Sequence, residues 1–295
     1  PLFVETFYKK ILSTAEKTGK LGTLRKMIAL SNKLRRVGID LRRVFFKSVL
    51  ANFGGKIEMI ICGGAALHQD IIDFFDGIGI TIMNGYGITE CAPLISCNRN
   101  QYRKNGSVGL PIIGGKAKIL DPDENGEGEI CYKGPNVMIG YYKNEEATRA
   151  AIDEEGYFHT GDYGKILTEG EDQWIYITGR LKNLIIFSNG KNVYPEELET
   201  DIQGVYGVSE VVVYAGESKS DPSKEVIVAE IYPDEDALKL HNITDPAAYF
   251  EEEIKKINRK NVSYKSIGKV KIRTEEFPKN TSRKITRFAI DKSID

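Results

Sequence analysis

The first fifty residues carry apolar positions at a helical period. Phe3, Phe7, Ile11 and Leu12 share one face, and Gly19 suits a C-cap, so helices are expected from residue 2 to about residue 50. A short apolar run follows, IEMIIC at 57–62, read as a strand leading into GGAAL. From Gln69 to Phe75 the pattern returns to a helical one, with Ile71, Ile72, Phe74 and Phe75 apolar. GITIM at 79–83 reads as another strand, ending in NGYG. Strand, helix, strand is the order of a partly parallel α/β sheet.

Past residue 106 the pattern shortens. KAKIL, the turn DPDENGEG and EICYKG predict antiparallel strands, and YFHTGDYGKI and QWIYITGR continue the series. Gly and Asp punctuate this stretch, which points to a small β-barrel or sandwich. A third pattern begins near residue 183. LIIFS reads as a strand and SNGKN as a turn. Pro195 to Ile202 reads as a helix, with Pro at its first position and acids in its first turn. VSEVVVY and EVIVAEIY are strands, Asp245-Pro246 opens a helix to about Lys260, and KVKIR is a last strand. The expected fold class is α/β in a multi-domain α+β chain. Residues 1–105 would form a helical segment and a partial α/β subdomain, and 106–180 a β-rich one. Residues 183–295 would form a small α+β domain. No internal repeat or low-complexity linker marks the joint, which is placed near Gly179–Lys182 by the change of pattern.

Charge narrows the function. The 295 residues hold 41 Lys and Arg against 42 Asp and Glu, a net charge of -1, which argues against a nucleic-acid partner. No apolar run is long enough for a membrane span, and PLFVETFYKK lacks the basic lead and apolar block of a signal peptide. The four cysteines, Cys62, Cys91, Cys97 and Cys131, show no zinc-knuckle or redox spacing. His68, His159 and His241 lie far apart, so no metal cluster is expected from spacing. The cysteines are read as packing residues of a cytoplasmic protein. One asymmetry remains. The first fifty residues hold twelve Lys and Arg but only Glu5, Glu16 and Asp40 as acids. A solvated helical face explains this, and peripheral contact with an anionic lipid surface is the sharper alternative.

Four segments carry candidate chemistry. NGYGITE at 84–90 ends a strand in a Gly-flexible turn, followed by an exposed aromatic, a hydroxyl and a carboxylate. Such a tyrosine can stack on a flat base, and Thr and Glu can hold phosphate oxygens and magnesium. A turn with incidental polar residues fits equally well. HTGD at 159–162 reads as a tight turn whose Asp could accept from a ribose diol or merely cap the bend. ITGRLKN at 177–183 supplies Arg180 and Lys182, either a phosphate-binding fork or a surface basic pair. PKNTSRK at 278–284 places Lys279, Arg283 and Lys284 in a loop that could equally be plain solvated surface. No Ser/His/Asp or Cys/His arrangement suggests covalent catalysis, and charge stabilisation on an anionic ligand suits the set better.

In order and approximate spacing, GGAAL, NGYGITE, GEICYKGPNVMIGYY, YFHTGD, TGRLKNLI and PKNTSRK resemble the motifs of the acyl-adenylate-forming enzymes. The basic helical start and the form of NGYGITE are most similar to long-chain fatty acyl-CoA synthetases. The resemblance implies a large N-terminal domain, an α/β sheet plus a small β-barrel, followed by a mobile C-terminal domain. It implies activation of a fatty acid by ATP to acyl-AMP, then transfer to coenzyme A, with Mg2+ as cofactor. By the same resemblance Gly63, Gly64 and Ala65 line the adenine and acyl pocket and Tyr86 stacks on adenine, beside Gly87. Thr89 contacts phosphate and Glu90 binds magnesium. Asp162 holds the ribose hydroxyls, and Arg180 the ribose or phosphate. Lys284 stabilises charge during adenylation, Lys182 is the hinge, and Gly190, Lys191 and Asn192 form the loop on the CoA side. A glycine at position 87 leaves room where acetate-using relatives carry a tryptophan, which points to a medium or long acyl chain, although the turn alone could require it.

Two departures matter. The family's Gly/Ser/Thr-rich phosphate loop, ending in Pro-Lys-Gly, is not in this sequence. The chain is therefore expected to be about half of a longer enzyme, inactive alone, with the missing N-terminal half as its partner. Arg283 also stands where the family has Gly, which puts the conformation of the lysine loop in question. Two other readings remain open: an adenylating enzyme that loads a carrier protein, and a nucleotide-binding half without chemistry.

Overall fold

The protein is described from a computed structural model over residues 2–64, 67–100, 102–188, 190–218, 220, 226–281 and 283–294. It divides into two compact units, 1–177 and 178–295.

The first unit opens with helices α1 (Leu2–Lys17), α2 (Leu21–Arg35), α3 (Arg42–Phe45) and α4 (Lys47–Ala51). Strand β1 (Met59–Gly63), helix α5 (Gln69–Ile78) and strand β2 (Thr81–Gly87) then form the expected strand–helix–strand unit, and β1 pairs with β2 in parallel. Helix α5 is bounded by two local signals. His68 Nδ1 accepts the Asp70 N–H at its start, and Gly79 ends it in the left-handed conformation. Its apolar face, Ile71, Ile72, Phe74, Phe75 and Ile78, packs with Val4, Leu24, Phe46, Leu50 and Phe53 of the preceding helical segment. Complete burial of Phe75 and Ile78 is worth about 1.5–3 kcal/mol each.

The helical start is therefore a folded layer, and part of its basic excess is internal. Arg35, Arg42 and Arg103 converge on Asp76 of α5, while Arg43 donates to the carbonyls of Gly55, Ile57 and Gly79.

Two short strands that the pattern did not predict, β3 (Leu94–Cys97) and β4 (Leu110–Pro111), extend the first sheet in the order β1-β2-β3-β4. The β-rich stretch is an antiparallel meander of β5 (Lys116–Leu120), β6 (Gly128–Lys133), β7 (Phe158–Glu169) and β8 (Asp172–Arg180). Helix α6 (Glu145–Ala151), capped by Asn144, lies between β6 and β7. The four strands are hydrogen-bonded in the order β5-β6-β7-β8. Val108 N–H donates to the Ile175 carbonyl and Ile175 N–H to that of Gly109, so β8 also bonds to residues 108–109, just before β4. Ile130, Tyr132, Phe158 and Ile175 form the core of this region with Tyr86, Cys91 and Ile95.

The second unit has a hairpin of β9 (Ile185–Ile186) and β10 (Asn192–Val193), helix α7 (Pro195–Gln203) and strands β11 (Val208–Gly216) and β12 (Val226–Pro233). Helices α8 (Glu235–Leu240) and α9 (Pro246–Asn258) and strand β13 (Ile267–Ile272) follow. The strand expected over LIIFS is only two residues long. The sheet order is β11-β12-β13, antiparallel then parallel. Leu198, Ile202, Phe250 and Ile254 cover one face, and Phe277, Ile290 and Ile294 cover the other. Asp234 and Asp245 cap α8 and α9 by accepting the Ala237 and Ala248 N–H groups. Among the described residues no helix is long and apolar enough to cross a membrane.

Candidate functional site

The parallel pairing of β1 and β2 sets Gly63 opposite Gly85, at the strand ends where the glycine-rich segments begin. Open α/β sheets place ligands at the carboxyl ends of their strands. Gly64 follows with φ 86°, and Ala65 lies outside the described residues.

Tyr86 is only 6% exposed, in contrast to the exposed ring expected from the motif. Its hydroxyl donates to Asp162 Oδ2 at 2.7 Å, and Asp162 is itself 3% exposed. The structure thus brings together two motifs that lie far apart in sequence. Gly87 has a packing reason of its own. A Cβ there would lie 1.9 Å from the Pro93 carbonyl oxygen, so the backbone approach requires glycine whatever the ligand. The acyl-chain inference from this residue therefore loses its force.

After Gly87 the chain enters a short 3₁₀ turn, Thr89–Cys91. The Thr89 side chain is exposed and that of Glu90 half-buried. Tyr141 Oη donates to Glu90 Oε1 at 3.1 Å, and the Met138 N–H donates to the Glu90 carbonyl. Burial, then the bond to Glu90, raises the Tyr141 hydroxyl pKa above the ordinary phenol value, which keeps it a donor. Tyr141 belongs to the GYY of the third motif but had no role by sequence. A carboxylate held this way, with a threonine hydroxyl beside it, is a hard oxygen donor set that suits Mg2+ completed by water and phosphate oxygens.

HTGD is not a tight turn. It lies inside β7 and forms a bulge, since Glu129 pairs with Tyr163 and Cys131 with His159, leaving three residues opposite Ile130. Gly161 has φ 66°, which a glycine adopts without strain. Thr160 Oγ1 donates to the Ile130 carbonyl at 2.6 Å and accepts the Asp162 N–H at 3.1 Å. Glu129 Oε1 accepts the Gly161 N–H at 2.9 Å. The bulge turns Asp162 inward toward Tyr86. Glu129 is a supporting residue that no sequence reading singled out. Its only signal was its place in the GEICYKG strand.

The remaining candidates belong to the second unit. Arg180 ends β8 and is exposed, and Lys182 is exposed in the 3₁₀ turn Leu181–Asn183. Asn183 Nδ2 donates to Glu196 Oε1 at 2.5 Å, which fastens this turn to the start of α7. Gly190, with φ 76°, and Lys191 close the hairpin whose strand β10 begins at Asn192. Lys191 Nζ lies 5.7 Å from the Tyr264 ring centroid. Asn189 of this loop is outside the described residues.

Lys284 is exposed in a tight loop, in which its N–H donates to Asn280 Oδ1 at 3.0 Å and its carbonyl accepts from the Asn280 N–H at 2.9 Å. Arg283 has φ 59°, so this loop keeps the left-handed conformation that a glycine would adopt freely. Ser282 is outside the described residues.

Comparison with known proteins identifies the family. Residues 3–142 match the model of the AMP-binding enzyme family. The rat protein long-chain-fatty-acid–CoA ligase 6 is 31% identical over 250 residues, covering 81% of this chain and 35% of that protein. A long-chain-fatty-acid–CoA ligase of Salmonella typhimurium is 38% identical over 216 residues, 71% of this chain and 35% of its own length. A long-chain-fatty-acid–[acyl-carrier-protein] ligase of Arabidopsis thaliana is 34% identical over 185 residues, 58% of this chain and 25% of that protein. The chain thus spans about a third of the length of these two CoA ligases. Among solved structures, ATP-bound MatB from Rhodopseudomonas palustris superposes with a TM-score of 0.66 at 27% identity, covering 84% of this chain and 49% of that one. O-succinylbenzoate coenzyme A synthetase from Bacillus subtilis, in complex with ATP and magnesium ion, gives 0.65 at 26% identity, with 82% and 49% covered. With six motifs in order and this architecture, the chain belongs to the AMP-binding, acyl-adenylate-forming enzyme superfamily.

Proposed function

We propose that this chain is the part of a long-chain fatty acid–CoA ligase that holds the nucleotide and carries the adenylation lysine. The reaction joins a fatty acid carboxylate to the α-phosphate of ATP, releasing pyrophosphate. The thiol of coenzyme A then attacks the acyl carbon and releases AMP. One observation carries the reading. The Tyr86–Asp162 hydrogen bond joins NGYGITE to the HTGD bulge, so an aromatic ring and a buried carboxylate meet with Thr89 and Glu90 just along the chain.

In this reading Asp162 accepts hydrogen bonds from the ribose diol, and the Tyr86 ring faces adenine at the strand end near Gly63 and Gly64, with Ala65 and Gly87 in the adjoining wall. Thr89 donates to phosphate, and Glu90, oriented by Tyr141, holds the cation. Mg2+ bound there would supply charge neutralisation at the phosphates. From the second unit, Arg180 serves the ribose or phosphate and Lys284 stabilises the negative charge that gathers during adenylation. Lys182 is the hinge residue, and the Gly190–Lys191–Asn192 loop serves the coenzyme A step. The names of the rat and Salmonella relatives support a long acyl chain and coenzyme A as acceptor. The Arabidopsis relative's name favours a second reading, in which an acyl carrier protein accepts the acyl group. Because the matched region is 35% of those CoA ligases, the reading includes a requirement for further sequence in the complete reaction. The exposed apolar residues Leu30, Val37, Ile39 and Val44 beside the basic helices support peripheral contact with an anionic lipid surface.

AMP binding to the chain tests the nucleotide assignment. Asp162→Asn keeps the shape and halves the acceptor capacity for the diol, so AMP affinity should fall about tenfold or more. Unchanged affinity in a folded variant would remove Asp162 from the site.

A further inference from the structure

Spacing along the sequence points to no metal cluster, yet the fold brings three potential ligands together. The β6–β7 pairing sets Cys131 directly opposite His159, and the bulge beside them turns Glu129 to the same point. His159 Nδ1 lies 3.0 Å from Glu129 Oε2 and 3.8 Å from Cys131 Sγ, and the three donor atoms all fall within 4.8 Å of one another. Cys131 is fully buried, whereas the side chains of Glu129 and His159 are partly open to solvent. We propose that Glu129, Cys131 and His159 form a three-ligand site for one Zn2+-class cation, with a fourth position open to water.

The geometry separates this from the two alternatives. A Cys–His–Glu catalytic relay needs the thiol on one ring nitrogen and the carboxylate on the other. Here both face the same nitrogen, Nδ1, so no relay forms. A plain carboxylate–histidine hydrogen bond would not need a thiol sulfur aimed at the same atom. A tetrahedral zinc site has Zn–N and Zn–O bonds of about 2.0–2.2 Å and Zn–S of about 2.3 Å, which sets donor-to-donor edges of roughly 3.4–3.6 Å. The separations of 3.0 and 3.8 Å bracket those edges and the third lies within 4.8 Å, so a cation can enter with side-chain shifts of about an ångström. The mixed S, N, O donor set selects Zn2+ or Co2+ over Mg2+, which prefers oxygen alone.

The surroundings fit a ligand set. Glu129 Oε1 is already held by the Gly161 N–H at 2.9 Å, the kind of outer contact that orients a ligating carboxylate. The nearby cation Lys118 is paired with Asp153 and Glu155. Burial first, and the Glu129 charge second, push the Cys131 thiol up to about 12, so without a cation it stays protonated. On binding, the S–H proton goes to solvent as the metal–sulfur bond forms, Glu129 binds as carboxylate, and His159 binds through neutral Nδ1 with its proton on Nε2. Because Glu129 also anchors the bulge bearing Asp162, occupancy would stiffen that bulge.

Cobalt titration of the chain tests this, in a thiol-free reductant and without nucleotide. One equivalent of Co2+ should give a thiolate-to-cobalt charge-transfer band, which Zn2+ abolishes and excess Mg2+ does not. Cys131→Ser should remove the band. His159→Gln should weaken Co2+ binding at least tenfold while leaving the far-ultraviolet circular dichroism unchanged, which covers the case in which the cysteine variant fails to fold. A band that persists in Cys131→Ser, binding unaltered in His159→Gln, or no band at all would overturn the site. None of these readouts depends on adenylation.

Discussion

Arg283 shows how a single position can keep a conformation at a cost. Its φ of 59° costs an L-residue with a side chain about 1–2 kcal/mol, and a glycine there would cost roughly 0.5–1 kcal/mol of extra chain entropy on folding. Arg283→Gly should therefore raise the stability of the second unit by about 0.5–1 kcal/mol, read as a higher denaturant midpoint at unchanged slope. A lower midpoint would mean that the arginine side chain contributes more than its backbone costs. Sequence alone could pose this question but not answer it, because a departure from a glycine pattern leaves open whether the backbone or the motif gave way. Gly87 is the converse case. It read as room for an acyl chain, yet the 1.9 Å approach of the Pro93 carbonyl to its absent Cβ is sufficient reason for glycine. A close approach between two backbones leaves no mark in the composition of either.

Among the elements, Asp76 on α5 ties the end of α2, the start of α3 and the loop before β4 to one helix. Arg35 Nη1 lies 2.6 Å and Arg103 Nη2 2.7 Å from its carboxylate, with Arg42 Nη1 at 3.4 Å. Burial alone would raise the Asp76 pKa, but the hydrogen bonds and charges of Arg35 and Arg103 overcome it and hold the carboxyl below its ordinary 3.8. A depressed carboxylate stabilises the fold above its unfolded pKa and loses that contribution as pH falls through its folded value. Asp76→Asn should cost about 2–4 kcal/mol at pH 7, and the gap from the parent should narrow below about pH 3.8. A gap independent of pH would assign the loss to packing.

The long periodic elements, α1, α2, α5, β11 and β12, were legible because each repeats its pattern over several turns or pleats. Helices α6 and α8 were not, being seven and six residues long. The β7 bulge was hidden because HTGD carries turn residues, and only the strand partner shows that they bend a strand. The meeting of Glu129, Cys131 and His159 depends on register, which no local pattern states. The order of motifs carried Tyr86, Glu90 and Asp162, whereas Tyr141 and Glu129 became visible only through their hydrogen bonds.

At the scale of the whole molecule, the proposed function assigns different parts of one chemistry to the two units. Asp162 and Glu90, proposed to hold ribose and cation, lie in the first, and Lys284 lies in the second. If Lys284 acts on the charge developed in adenylation, Lys284→Ala should abolish acyl-AMP formation and spare thioester formation from supplied acyl-AMP. Equal loss of both half-reactions would assign the residue to folding or to binding in general.

The proposed function rests on adenylation of a fatty acid, and ATP–pyrophosphate exchange measures that step directly. The chain and an N-terminally extended form would be assayed with acids from acetate to stearate. Exchange is expected from the extended form, strongest with long acids and lost on Lys284→Ala, and none from the short chain. Exchange by neither form, with AMP still bound, would contradict the enzyme and leave a nucleotide-binding protein.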